Sequence, residues 1–179
     1  MKKKLYFFAL ALLISCSIQP EGNNNNKTSV EISGKITVKN NGLYQTQGFR
    51  LCVYDTTLIK SLDIDSNGEY KLQIEDVDKN KTYTIIAYTE DKFFVGGNIV
   101  SISDNKDNKC DIEVFFYNLV FDGKKNYKII SERENDFECY IMRDGEIIRS
   151  VNTFYTGDIF CVYYSYNGVQ IPLQTYEIE

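Results

Sequence analysis

Acidic side chains are the first place to look for chemistry in this sequence. Asp63-Ile64-Asp65-Ser66-Asn67-Gly68 repeats the first six positions of a helix-flanked calcium loop, in which Asp63, Asp65 and Asn67 would supply hard oxygens. The twelfth position, where such a loop places a bidentate glutamate, is Ile74, and the flanks have the texture of strands. The stretch therefore reads as a turn, with Asp63, Asp65 and Asn67 kept as a weak calcium candidate. Asp104, Asp107 and Asp111 form a second acidic loop with a still weaker claim. Paired carboxylates can hydrolyse glycosides without histidine. Here the acids fall in turns and on polar strand faces, as in Glu132-Arg133-Glu134-Asn135-Asp136, and nothing sets two of them across a cleft. The chain has no histidine, which removes Ser-His-Asp and Cys-His catalysis and histidine-containing metal sites. No catalytic residue and no cofactor is expected.

Five cysteines carry the remaining reactive chemistry, and Cys16 stands apart from the others. Lys2-Lys3-Lys4 is a cationic start, and 5–14 is an unbroken apolar run. As a helix that run is about 15 Å long, half of a bilayer's hydrocarbon core, so it reads as a signal peptide. Its ending, Leu13-Ile14-Ser15-Cys16, resembles the lipobox of bacterial lipoproteins. The resemblance implies diacylglyceryl transfer to the Cys16 sulfur, removal of 1–15, and acylation of the new amino group. Two or three acyl chains such as palmitate hold a protein firmly on a membrane, where one holds it only marginally. The alternative is an ordinary secretory signal that contains a cysteine. Residues 16–28, rich in Asn, read as a flexible tether with a reach on the order of 20 Å. Ser17 does not resemble the aspartate that retains enteric lipoproteins on the inner membrane. The implied place is the cell envelope, at the outer membrane, on its periplasmic or surface face.

Cys52, Cys110, Cys139 and Cys161 remain, an even number in an exported chain, which suits a disulfide framework. Three pairings exist, and one bond in each half is the natural choice. Cys139 shares a strand face with Phe137 and Ile141, Cys161 with Ile159 and Tyr163, and Cys52 with Arg50. The alternative is four small buried hydrophobes. No C-x-x-C spacing favours a metal cluster.

The elements that must position these groups have a period of two. Tyr70-Lys71-Leu72-Gln73-Ile74-Glu75 alternates without a fault, as do Val30, Ile32, Gly34, Ile36 and Val38 with their polar neighbours. Residues 49–54, 83–89, 93–102 and 111–117 complete a set rich in β-branched and aromatic side chains. Turn clusters at 40–42, 65–68, 78–81 and 104–108 separate them, and no helix pattern follows the signal peptide. The expected class is all-β, a sandwich or barrel. Asn67-Gly68 suits a type I′ hairpin between 61–65 and 69–74.

Gly34-Lys35-Ile36, the Val53 strand, Asp65-Ser66-Asn67-Gly68-Glu69-Tyr70 and Tyr83-Thr84-Ile85-Ile86-Ala87 recur in an order that resembles the carboxypeptidase regulatory-like domain. The resemblance covers about 29–117. It implies a transthyretin-like, seven-stranded antiparallel sandwich that is noncatalytic, so no active-site residues carry over. The loop at 40–48 departs from the family by lacking proline.

Residues 118–179 keep the β texture without the motif. Arg143-Asp144-Gly145 and Asn167-Gly168 mark two hairpins, and Pro172 marks an edge strand or a bulge. The expected unit is small, an immunoglobulin-like or incomplete sandwich packed on the first, with one continuous β-domain as the alternative.

Tyr and Phe are abundant, at 14 and 11, while Trp is absent. Phe154-Tyr155 and Tyr163-Tyr164-Ser165-Tyr166 serve either a core or a contact surface. Beyond residue 15 the chain carries 17 basic and 25 acidic side chains, a net −8 with no basic patch, which argues against nucleic acid. These readings converge on a noncatalytic, membrane-anchored lipoprotein that presents a protein- or glycan-binding surface. The alternatives are a structural envelope component and, last, a histidine-free hydrolase. A binding module calls for an exposed Tyr/Phe patch, a spacer for a uniformly charged surface.

Overall fold

Alternation in the sequence becomes alternation of burial in the computed structural model, which describes residues 27–39, 48–78, 80–103, 107–121, 127–149 and 154–178. In β4 (Glu69–Asp78), Tyr70, Leu72 and Ile74 are buried while Glu69, Lys71, Gln73 and Glu75 are exposed. The described residues form an all-β chain without an α-helix. Before β4 come β1 (Lys27–Val38), β2 (Phe49–Tyr54) and β3 (Leu58–Ile64). After it come β5 (Thr82–Thr89), β6 (Phe94–Ser101), the two-residue β7 (Asn108–Lys109), β8 (Ile112–Phe121) and β9 (Tyr127–Ser131). A 3-10 turn, Glu134–Asp136, leads to β10 (Phe137–Arg143), β11 (Glu146–Ile148), β12 (Ile159–Tyr166) and β13 (Val169–Glu177).

The first nine strands make one large sheet ordered β3-β2-β5-β6-β8-β1-β4, with β7 on β1 and β9 on β8. Its two ends, β3 and β4, face each other, and the Lys60 ammonium of β3 donates to the Gln73 carbonyl of β4 at 2.7 Å. The sheet thereby nearly closes. It is not purely antiparallel, because β1 runs parallel to both β7 and β8. Parallel neighbours need a long crossover, and the strands between β1 and β8 provide it.

The second sheet, β11-β10-β12-β13, lies against the first. Two apolar clusters result, one on each side of the layer that contains β2, β5, β6 and β8. Inside the large sheet, Leu51, Val53, Ile85 and Ala87 meet Ile32, Ile36, Leu72 and Ile74. On the other side, Ile86, Val95 and Tyr117 meet Phe137, Ile141, Phe160, Val162 and Tyr164 of the second sheet. A strand covered on both faces cannot alternate, and β5 accordingly buries every residue from Tyr83 to Ala87.

Two turns match the sequence and one does not. Asp144 and Gly145 have φ of 52° and 83°, and Asn167 and Gly168 have 48° and 77°, so both loops are two-residue turns with positive φ throughout. Asn67 has no positive φ. The Gly68 amide donates to the Asp65 carbonyl at 3.1 Å and only Gly68, at 70°, is left-handed, which is a type I turn closed by glycine. The expected type I′ hairpin is absent because β3 and β4 diverge to opposite ends of the sheet order instead of pairing. Pro172 satisfies both of its expectations: β13 is an edge, and the register slips between Val162 and Tyr163, opposite it.

Candidate functional site

The cysteines of the folded body are not brought together in bonded pairs. Cys16 lies outside the described residues. The other four are free thiols. Strand faces explain this. Cys139 stands opposite Val162, on the face that packs into the second cluster, whereas its neighbour in sequence order Cys161 stands opposite Tyr140 on the outer face. Cys110 is in the first cluster, while Cys52 lies opposite Ile86, on the other side of the same layer. One bond per half is therefore not the arrangement. Burial pushes the thiols up, Cys110 to about 11 and Cys139 to about 12, so they sit as protonated hydrophobes at neutral pH. Cys52 is as buried as a core residue although it shares a face with Arg50, because the Tyr54 and Tyr88 side chains, both packed on the second cluster, lie beside it.

The calcium candidate is likewise dispersed. Asp63 is held by Arg50 at 3.4 Å, and Asp65 turns inward to accept the Asn67 amide at 3.0 Å. Among the described residues no three His, Cys, Asp or Glu side chains gather for a metal. Asp111 pairs with Lys109 at 2.9 Å, and Asp104 lies outside the described residues.

What the fold does assemble is on the outer face of the second sheet. The β10–β12 register sets Glu138 beside Tyr163 and Tyr140 beside Cys161, and β12–β13 sets Ser165 beside Gln170. The Tyr140 and Tyr163 rings lie 5.2 Å apart with their planes tilted by 58°. The Arg149 guanidinium covers Tyr140 at 5.2 Å from the ring centre. The Tyr140 hydroxyl donates to the Glu138 carboxylate and accepts from the Gln170 amide nitrogen at 3.2 Å. These hydrogen bonds, with help from Ser165 and the Arg149 charge, hold Glu138 below the usual glutamate range. The same carboxylate raises the Tyr140 phenol. Glu138 is thus a fixed anion that orients donors, and it is a poor general base at neutral pH.

The result is an aromatic pair on adjacent strands, with Tyr140 buried and Tyr163 partly exposed, framed by an anion, an amide, a hydroxyl and a guanidinium. That combination can stack on an apolar ligand face while pairing with its polar edge. The tyrosine run was visible in the sequence. Glu138, Gln170 and Arg149 were missed, since only the cross-strand register joins them to it.

No family model matches this chain, and no curated protein matches it either.

Proposed function

We propose that this chain is a noncatalytic, lipid-anchored bacterial envelope lipoprotein whose β body presents a protein- or glycan-binding surface. In this reading Cys16 carries the lipid, 16–28 is the tether, 29–117 is a seven-stranded carboxypeptidase regulatory-like sandwich and 118–179 is a smaller β unit. The seven strands of the main path support the sandwich, and the parallel pairings of β1 set it apart from an all-antiparallel one. The observation that carries the function is the Tyr140–Tyr163 pair, with Glu138, Gln170 and Arg149 converging on it. Buried, protonated thiols and a carboxylate held below its usual range support a binding role over acid–base chemistry.

The test is a glycan array and a panel of envelope proteins probed with the native chain and with Tyr163→Ala. Binding that falls at least tenfold in the variant supports the reading. Equal profiles for the two move the structural-component reading ahead. Separately, Cys16→Ser should shift the protein out of the membrane fraction, and continued retention there would remove the lipid anchor from the proposal.

A further inference from the structure

A strand at the margin of a sheet offers unpaired backbone groups, and soluble proteins blunt such edges. Most margins in this molecule are blunted. Lys60 ties β3 across to β4, and β4 itself carries alternating charges and a left-handed Asp76 beside its register shift. Across the second sheet, β11 is three residues long and β13 has Pro172 and a bulge. β7 has only two residues.

β9 has the fewest of these devices, one lysine with no proline and no bulge. It pairs in regular register with β8 from Tyr117↔Ser131 to Phe121↔Tyr127, and no strand lies on its other side among the described residues. Its sequence, Tyr127-Lys128-Ile129-Ile130-Ser131, has no proline and a single charge. Register places Ile130 beside Asn118 and Lys128 beside Val120, so Phe116, Val120, Lys128 and Ile130 share one face. Phe116, Val120 and Ile130 are each 42–50% exposed. Lys128 stands among them with no ion-pair partner among the described residues, on a chain whose net charge is −5.

We infer that the free edge of β9 is a docking site for an extended peptide segment of a partner protein, which adds as a strand and places an acidic side chain against Lys128 between apolar ones. The lone lysine selects the charge. A second copy of this chain is the poorer occupant, because its own β9 has no acid to offer Lys128. The inference is independent of the tyrosine face, and either can fail without the other.

The probes are two synthetic heptapeptides that alternate valine with glutamate or with lysine, titrated against the full chain by fluorescence anisotropy. The glutamate peptide should bind about three- to fivefold more tightly than the lysine peptide, the range of one exposed cross-strand charge pair. Lys128→Glu, a surface change that leaves the apolar contacts intact, should invert the preference. N-methylation on alternate residues should abolish binding, and bound peptide should slow amide exchange at 127–131. Tyr163→Ala should leave all of this unchanged. The inference is overturned if neither peptide binds, if Lys128→Glu keeps the original preference, or if the N-methylated peptide binds as well. It is overturned too if amide protection at β9 rises with protein concentration alone, which would assign the edge to self-association.

Discussion

The two clusters that flank the β2-β5-β6-β8 layer are built from different side chains. The first is mainly aliphatic, with Ile32, Leu51, Val53, Leu72, Ile74, Ile85 and Val114 all at or near zero exposure. The second is richer in rings, with Tyr117, Phe137, Phe154, Phe160 and Tyr164 among its buried members. Tyr117 and Phe137 lie 4.8 Å apart, Phe137 and Tyr164 5.6 Å, and Phe154 and Phe160 5.8 Å. A large sheet that curls on itself surrounds its core, so branched aliphatic side chains suffice to fill it. A four-stranded sheet has one face to bury and too few residues to do it with. Rings supply more area per position, and Ile86, Val95 and Tyr117 of the larger sheet complete the cluster. The second sheet borrows its core.

Borrowing has a thermodynamic consequence, and it yields the largest expected effects. Phe160→Ala should cost about 3–5 kcal/mol and Ile85→Ala about 2–5 kcal/mol. If the layers unfold as one, both variants lower the urea midpoint of a single transition seen by far-UV circular dichroism and by tyrosine fluorescence. If Phe160→Ala instead splits the fluorescence transition from the dichroism one, the second sheet melts first and the large sheet stands alone. Ile85→Ala should never produce that order, since Ile85 lies in the cluster that the large sheet closes by itself.

A finer cut falls on the contact between layers. Gly97 of β6 lies directly beneath Tyr166, and a Cβ there would stand 2.7 Å from the ring. Gly97→Val should cost about 1–3 kcal/mol by overpacking. Amide exchange should speed up in β12 and β13 while β2 and β5 stay protected. Equal acceleration everywhere would mean that the two clusters are not separable even locally.

How much of this contrast the sequence carried is visible residue by residue. Strand texture was legible because burial follows alternation, as in β4. The run Tyr83-Thr84-Ile85-Ile86-Ala87 was legible as a strand, but its lack of alternation acquires a reason only once a second layer covers Ile86. Asp144-Gly145 and Asn167-Gly168 gave true hairpins because both flanking strands pair locally. Asn67-Gly68 has the same letters and a different turn, because the strands it joins end up at opposite margins of the sheet. The outer tyrosine cluster was half legible. Tyr163 sits in a conspicuous run, while Glu138 and Gln170 reach it only through register, and register is set by the whole sheet.

The second unit also carries a buried aspartate in an ion pair, with no counterpart in the first among the described residues. Asp158, 2% exposed, receives the Arg143 guanidinium through both oxygens at 2.7 Å and the Tyr155 amide at 2.8 Å. Arg143 in turn lies over the Tyr155 ring at 4.2 Å, so the pair fastens 155–158 to the end of β10. The guanidinium holds the Asp158 carboxyl below the usual aspartate range. The folded state therefore binds its proton less readily than the unfolded chain. That contribution is complete above the ordinary aspartate pKa and is lost as pH falls through the lowered folded value. Melting curves across this acid range should show the native chain losing more stability than Asp158→Asn, which starts lower at neutral pH and has a flatter acid limb. Parallel curves for the two would mean that Asp158 titrates alike in both states.

The smallest expected effect is none. A disulfide in either half would contribute about 2–4 kcal/mol, chiefly by restricting the unfolded chain, and a reductant would remove it. Cys139 and Cys161 sit one residue out of register, which in a pleated sheet means opposite faces, and no rotamer brings their sulfurs to bonding distance. Cys52 and Cys110 are divided by the layer itself. Dithiothreitol should therefore leave the melting temperature of the oxidised, air-exposed protein unchanged, and alkylation of the unfolded chain should modify all four thiols without prior reduction. A reductant-sensitive melt would require a strand slip of one residue in one of the two halves. The half in which it occurred would then show which cluster, the mainly aliphatic or the borrowed ring-rich one, holds its register less firmly.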